Sequence, residues 1–317
     1  ENGAGNVHVA QLTDGTFGVA WSASPNMKLA HLDASGALIG TVKTLVSEPN
    51  TPTGFKGVAI CDACAGDNGS FIMVWTRSFT NSFLSSKWLY AQKYDTNLNE
   101  VWTSNVAAPV NAIGLYAPTP NTNGYGSQGG AVQNGYFPAI MSDGAGGFVC
   151  GFYEIANTRQ AYIQHILPNG TPKFPGNGLS SAVPAGRITI GAGFDYDAST
   201  NEYFLCWPES ASPTQGNYSV NAQKFDNAGS PLWAGNVTVL PTGTGNQPSF
   251  VQCLHDTHGG QFWPWNLFVR LQQPYTAGLH RLRGLWVYTS RGTGYWGPPK
   301  RFGAPSEITL LRLVTAA

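Results

Sequence analysis

Glu154 and Glu209 are the only pair of residues in this 317-residue chain that could be nominated for hydrolytic chemistry. Glycoside cleavage needs two carboxyl groups at a set separation, one held protonated to donate and one ionised to attack or activate water. Both glutamates follow an apolar run that ends in an aromatic residue, Phe148-Val149-Cys150-Gly151-Phe152 for Glu154 and Tyr203-Phe204-Leu205-Cys206-Trp207 for Glu209. They therefore occupy corresponding loops of two repeated units. Neither sits in a recognisable catalytic motif, and acids are scarce, with 17 Asp and Glu in all. Binding without catalysis asks for less. Arg77, Arg159 and Arg270 fall in the same set of loops, and Tyr116, Tyr125 and Tyr136 belong to an insertion placed on the same side. Arginine forks beside aromatic faces suit an acidic or neutral sugar. The expected ligand-binding set is Arg77, Arg159, Arg270, Tyr116, Tyr125, Glu154 and Glu209; a catalytic version would use Glu154 and Glu209.

Other clusters carry less chemistry. Cys253, His255, Asp256 and His258 bring sulfur and imidazole donors together, and Cys61 and Cys64 have a two-residue gap, but zinc needs four ligands and neither cluster has four. A local disulfide between Cys61 and Cys64 is expected instead, and Cys150 and Cys206 read as fillers of apolar strands. Asp14, Asp67, Asp143, Asp197 and Asp256 recur at one turn of each unit. Each turn offers about one carboxylate where calcium wants six to eight oxygens, so these are read as turn-capping residues. No metal and no cofactor is expected.

The elements that must position these residues are strands. Leu89-Tyr90-Ala91-Gln92-Lys93-Tyr94-Asp95, continuing to Trp102, returns as Val220-Asn221-Ala222-Gln223-Lys224-Phe225-Asp226, continuing to Trp233. Weaker copies run Lys28 to Gly36 and Ala161 to Gly170. Each copy is preceded by another strand pair around an Asp-Gly or similar turn, and no helix period is present. Trp21, Trp75, Phe152, Trp207 and Trp265 mark equivalent positions, 54, 77, 55 and 58 residues apart. Such spacing predicts an all-β, five-bladed β-propeller with four antiparallel strands per blade. The alternative is a β-sandwich with internal duplication. As a single domain over 1–317, the blades fall near 1–50, 55–108, 131–184, 187–241 and 246–303. An insertion covers 109–135, and an extra apolar strand covers 307–314. His31, Lys93, His165 and Lys224 share one position of the repeat, and Gln92, Gln164 and Gln223 the one before. Strand neighbours face opposite sides, so one set packs between blades, where a buried Gln must find hydrogen-bond partners, and is read as stitching them. The alternative is one sugar pocket per blade gap.

The Asp-Gly turn, the strand ending in Trp, the Tyr-Ala-Gln-Lys-Tyr-Asp run and the late Trp together resemble β-propeller repeats of secreted bacterial and phage or virion adhesin-type proteins. The resemblance concerns fold and covers most of the chain, best in the second and fourth units. No sialidase-type Asp-box and no integrin-type calcium loop accompanies it.

Composition bounds the function. Charge is balanced, 17 basic against 17 acidic residues, and charged residues make up 11% of the chain, so the basic footprint of a nucleic-acid binder is absent. No run of 18 apolar residues predicts membrane insertion. The chain begins at Glu1 rather than Met, which reads as a removed signal peptide or a piece of something longer. The resulting expectation is a non-enzymatic extracellular or virion-surface module that binds carbohydrate, with a glycan or cell-surface receptor as partner. The alternatives are a structural subunit contacting copies of itself or other subunits, and a propeller glycoside hydrolase.

Overall fold

A computed structural model describes residues 5–23, 26–47, 57–78, 87–104, 111–116, 132, 138–154, 159–211, 216–242, 278–282 and 285–289. Two compact units divide the chain, Glu1–Val251 and Gln252–Ala317. All regular structure among the described residues is β.

The first unit is a succession of antiparallel blades. Blade 1 comprises β1 (Gly5–Gln11), β2 (Phe17–Ala23), β3 (Asn26–Leu32) and β4 (Leu38–Ser47), paired in chain order. Blade 2 follows with β5 (Gly57–Ala65), β6 (Phe71–Ser78), β7 (Lys87–Tyr94) and β8 (Ile113–Tyr116). Its outer strand comes from the stretch expected to be an insertion. Blade 3 is β9 (Ile140–Ser142), β10 (Phe148–Tyr153), β11 (Ala161–Ile166) and β12 (Leu179–Ser180). In blade 4, β13 (Arg187–Thr189) and β14 (Gly193–Asp197) both pair with β15 (Glu202–Ala211), followed by β16 (Ser219–Phe225) and β17 (Val237–Leu240). This meander of strands, repeated blade after blade, is propeller-like. The second unit holds a described hairpin of β18 (Gly278–Leu282) and β19 (Leu285–Thr289).

Alternation alone would give one buried face per strand, as in β2, where Gly18, Ala20 and Ser22 are buried and their neighbours are not. In β10 every residue is buried, because blades pack against both faces. Trp75, Tyr90, Tyr94, Phe71, Phe148 and Phe152 fill the space between sheets. Glycine in β2 has a steric cause: a Cβ on Gly18 would overlap the Phe71 ring of the next blade.

The repeated Asp residues cap their own turns. Asp143 Oδ1 accepts from the Ala145 and Gly147 amides, both at 2.8 Å. Asp95 Oδ1 accepts from Asn97 and Asn99, and Asp226 Oδ1 from Ala228 and Ser230. Turn chemistry thus occupies these carboxylates.

The two repeat positions divide their labour. Gln92 Nε2 donates to the Trp102 and Asn111 carbonyls while its Oε1 accepts from the Trp102 amide, and Gln164 does the same around Phe174. Gln223 holds Trp233 likewise. These glutamines clip the outer turn of their own blade, which corrects the reading of them as inter-blade stitches. The neighbouring position does cross between blades. His31 Nδ1 meets the Thr96 carbonyl, Lys93 Nζ donates to the Gly146 carbonyl at 3.0 Å, and His165 Nδ1 meets Tyr203 Oη at 2.6 Å.

His165 Nε2 also lies 3.0 Å from Asp143 Oδ2, with both side chains buried. Burial alone would raise the Asp143 pKa, but the His165 hydrogen bond and the two turn amides outweigh it and hold the carboxyl below its ordinary value. A carboxylate with a depressed folded pKa contributes stability that is present above its unfolded pKa and is lost as pH falls through the folded one. Urea midpoints of the wild type should therefore fall below about pH 4, where an unfolded Asp begins to protonate. In Asp143→Asn that acid loss should be smaller and stability at pH 7 lower; an unchanged acid limb would refute the assignment.

Candidate functional site

The carboxylate pair sits at one end of blades 3 and 4. Glu154 follows β10, is fully buried, and bridges to Val132, so the connection between β8 and β9 reaches this end. Its Oε2 accepts the Arg159 amide at 3.1 Å, and Arg159, exposed and at φ 55°, offers its carbonyl to the Thr189 amide. Thr189 of β13 pairs in register with Glu209 of β15. A continuous path of main-chain bonds thus joins the two glutamates.

Glu209 is 4% exposed and both its oxygens are engaged. Arg187 Nε donates to Oε2 at 2.7 Å and Trp207 Nε1 to Oε1 at 2.7 Å. The same guanidinium reaches the Asn217 carbonyl at 2.9 Å and Ser219 Oγ at 2.8 Å. Arg187 was not among the candidates; its place on the strand paired with Glu209 becomes evident only from the register of β13.

Two other expected ligand residues are structural. Arg77 lies within β6 rather than a loop, is fully buried, and holds its guanidinium 5.2 Å from the Tyr90 ring. Tyr116, in β8, is 8% exposed, stacked on Trp88 with centroids 5.7 Å apart and tilted against Phe152. Strand β6 extends past the Trp75 boundary, which draws Arg77 inside. Arg270, Tyr125 and Tyr136, with Cys253, His255, Asp256 and His258, lie outside the described residues.

The Cys61–Cys64 disulfide is not formed; both are free thiols, as is Cys150. Both sit on β5, where three residues of extended chain span about 10 Å, against roughly 4.4–6.8 Å between bridged Cα atoms. Burial pushes the Cys64 thiol up, beyond the range where a thiolate forms. Cys206, read as a core filler, is disulfide-bonded.

Among the described residues no group of three or more His, Cys, Asp or Glu side chains is placed to hold a metal ion. Among the described residues no helix is long and apolar enough to cross a membrane. A cleft of about 560 Å³ lies between β4 and the turn after β7, lined by His31, Lys43, Thr96 and Leu98 among others.

No family model matches the chain. Over 59 residues it is 52% identical to an uncharacterized metallophosphoesterase of Helicobacter pylori, covering 18% of this chain and 16% of that protein. It is 48% identical over 58 residues to an uncharacterized metallophosphoesterase of Campylobacter jejuni, covering 18% and 16%. A transmembrane protein with metallophosphoesterase domain from Bos taurus is 44% identical over 61 residues, covering 19% and 14%. The chain thus spans less than a fifth of the length of these relatives. Among solved structures, α-L-arabinofuranosidase from Lactobacillus brevis has a TM-score of 0.38 at 11% identity, covering 73% of this chain and 71% of that one. An exo-β-1,3-galactanase from Clostridium thermocellum has a TM-score of 0.38 at 10% identity, covering 80% and 52%. The relatives found by sequence are named as enzymes, which overturns the expectation of a non-enzymatic binding and adhesion module. Kinship with adhesin-type or virion proteins is not supported.

Proposed function

We propose that the chain joins a propeller-like scaffold to a piece of a metal-dependent phosphoesterase, and that Gln252–Ala317 is that piece. The observation that carries this reading is the 52% identity over 59 residues to a metallophosphoesterase. A stretch of that length fits a compact unit that begins at Gln252 and ends at Ala317. The blade repeat runs elsewhere: a Gln followed by Lys or His and then by an aromatic residue ten positions after the Gln, as Gln92 with Trp102, Gln164 with Phe174 and Gln223 with Trp233, does not recur after Val251. In this reading residues 246–303 are not a fifth blade.

The same unit contains His255, Asp256 and His258, with Cys253 beside them. Two imidazoles and a carboxylate form a donor set that suits a borderline divalent ion such as zinc or manganese. His255 and His258, with Asp256, would hold it. A bound divalent ion supplies Lewis-acid polarisation of a phosphoryl oxygen and a more acidic bound water. The chain covers only a small part of its relatives, so these donors are one portion of a phosphoesterase site. Hydrolysis of p-nitrophenyl phosphate by the full chain with Mn²⁺, abolished by EDTA and by His255→Ala, supports the reading. Turnover indifferent to both treatments refutes it.

A second reading is favoured by the placement of Glu154 and Glu209. Both are buried at one end of adjacent blades, where a glycosidase would place its two carboxyl groups, and Arg187 Nε lies 2.7 Å from Glu209 Oε2. This reading predicts release of reducing sugar from arabinan or galactan that Glu154→Gln and Glu209→Gln both abolish without loss of fold.

A further inference from the structure

We propose that Lys173 is a nucleophilic amine that takes a small aldehyde or ketone as a Schiff base, served by a proton relay of Tyr203, His165 and Asp143. The site is marked by two breaks in the blade repeat. Phe17, Phe71 and Phe148 stand four residues before Trp21, Trp75 and Phe152, and at that position blade 4 carries Tyr203. Ile39, Val101 and Leu232 stand eight residues after His31, Lys93 and Lys224, and eight after His165 comes Lys173. The two polar groups placed where the repeat is apolar meet each other, because Lys173 Nζ donates to Tyr203 Oη at 2.8 Å. Departures from an otherwise consistent pattern are expected at functional sites.

Behind Tyr203 the contacts continue inward. Its Oη lies 2.6 Å from His165 Nδ1, and His165 Nε2 lies 3.0 Å from Asp143 Oδ2. A carboxylate only accepts, so Nε2 carries a proton. With Lys173 charged, the donors run one way, from ammonium to phenol to Nδ1. With one proton moved, Lys173 is a neutral amine accepting from the phenol, and His165 is an imidazolium held against the Asp143 carboxylate. Tyr203, His165 and Asp143 are all buried, and Tyr196 of β14 closes the flank with its ring centroid 4.9 Å from Tyr203 and 5.4 Å from His165. Burial pushes the Tyr203 phenol up, so it passes a proton on while keeping one. Burial also pushes the half-buried Lys173 ammonium down, with Asp143 pulling the other way. Among the described residues no carboxylate pairs with Lys173, whereas Lys93 and Lys224 pair with Asp67 and Glu202. Asn227 Oδ1 accepts from Nζ and fixes its direction.

The chemistry balances without an oxidant or reductant. The Nζ lone pair bonds to the carbonyl carbon and the carbonyl π pair goes to oxygen. One proton leaves nitrogen and one reaches that oxygen, giving a carbinolamine. The His165 proton, returned through Tyr203, then carries the hydroxyl off as water and leaves a protonated Schiff base.

Treating the full chain with glycolaldehyde and cyanoborohydride, and reading each lysine by peptide mass spectrometry, tests this. Lys173 should gain the hydroxyethyl group about tenfold faster, or more, than Lys43 and Lys224, a modest share of what a positioned acid–base group contributes. Tyr203→Phe installs the residue of the other blades, so the chain should melt close to wild type while Lys173 falls to the rate of those two lysines. A smaller lead in the wild type overturns the proposal by itself. A Tyr203→Phe chain that labels Lys173 as fast as wild type overturns it too, by showing that the phenol only packs.

Discussion

Gly147→Ala should lower stability by about 3 kcal/mol. Gly147 closes the β9–β10 turn, and a Cβ there would overlap the Ile166 carbonyl oxygen and lie 2.6 Å from Asp143 Oδ2. Ile166 cannot retreat, because it is paired with Phe148 and bridged to Pro172. Asp143 can move only by giving up His165 and the capping bond to the Gly147 amide. Gly144 in the same turn provides the contrast. It has φ 76° and open space around its Cβ position, so Gly144→Ala should cost about 1 kcal/mol from backbone strain alone. Urea unfolding of both variants measures the difference, and equal losses would show that the overlap is relieved cheaply.

Glu209→Ala should cost about 3 kcal/mol, because it removes the buried carboxylate that pairs with half-buried Arg187 and accepts from the buried Trp207 indole. Arg187 would lose its ionic partner and the buried Trp207 Nε1–H its acceptor. Replacing both charged partners, Glu209→Leu with Arg187→Met, should recover most of the loss, since a buried ion pair is often no more stable than a well-packed apolar one. Glu209→Gln keeps an acceptor for Trp207 and should lie between wild type and Ala. The same series bears on glycoside hydrolysis. A structural anchor predicts that stability tracks the loss of partners, whereas a catalytic carboxylate predicts a folded, inactive Gln variant.

The blades were legible in the sequence because their causes are local. Period-two alternation, Asp-capped turns and the recurrence of Gln with an aromatic ten residues later are all carried by neighbouring residues. What crossed between strands was less legible. Arg77 read as a loop residue because β6 runs three residues beyond Trp75, and β8 read as insertion because it is a short strand after a long outer turn. Glu154 and Glu209 were read as residues of corresponding loops, whereas Glu209 lies within β15. The Arg187 and Trp207 contacts that fix Glu209 depend on strand register, which no spacing along the chain reveals. Cys61 and Cys64 misled because a two-residue gap means proximity in a turn and separation on a strand. The similarity to metallophosphoesterases was illegible from the blade repeat, since it is confined to about 60 residues.

Equilibrium dialysis of the full chain against Mn²⁺ or Zn²⁺, with bound metal counted by elemental analysis, tests the phosphoesterase reading most directly. Stoichiometric binding that is lost in His255→Ala with His258→Ala, while the melting of the blades is unchanged, is the expected result. A chain that binds no metal, or binds it equally well without the two histidines, would contradict it.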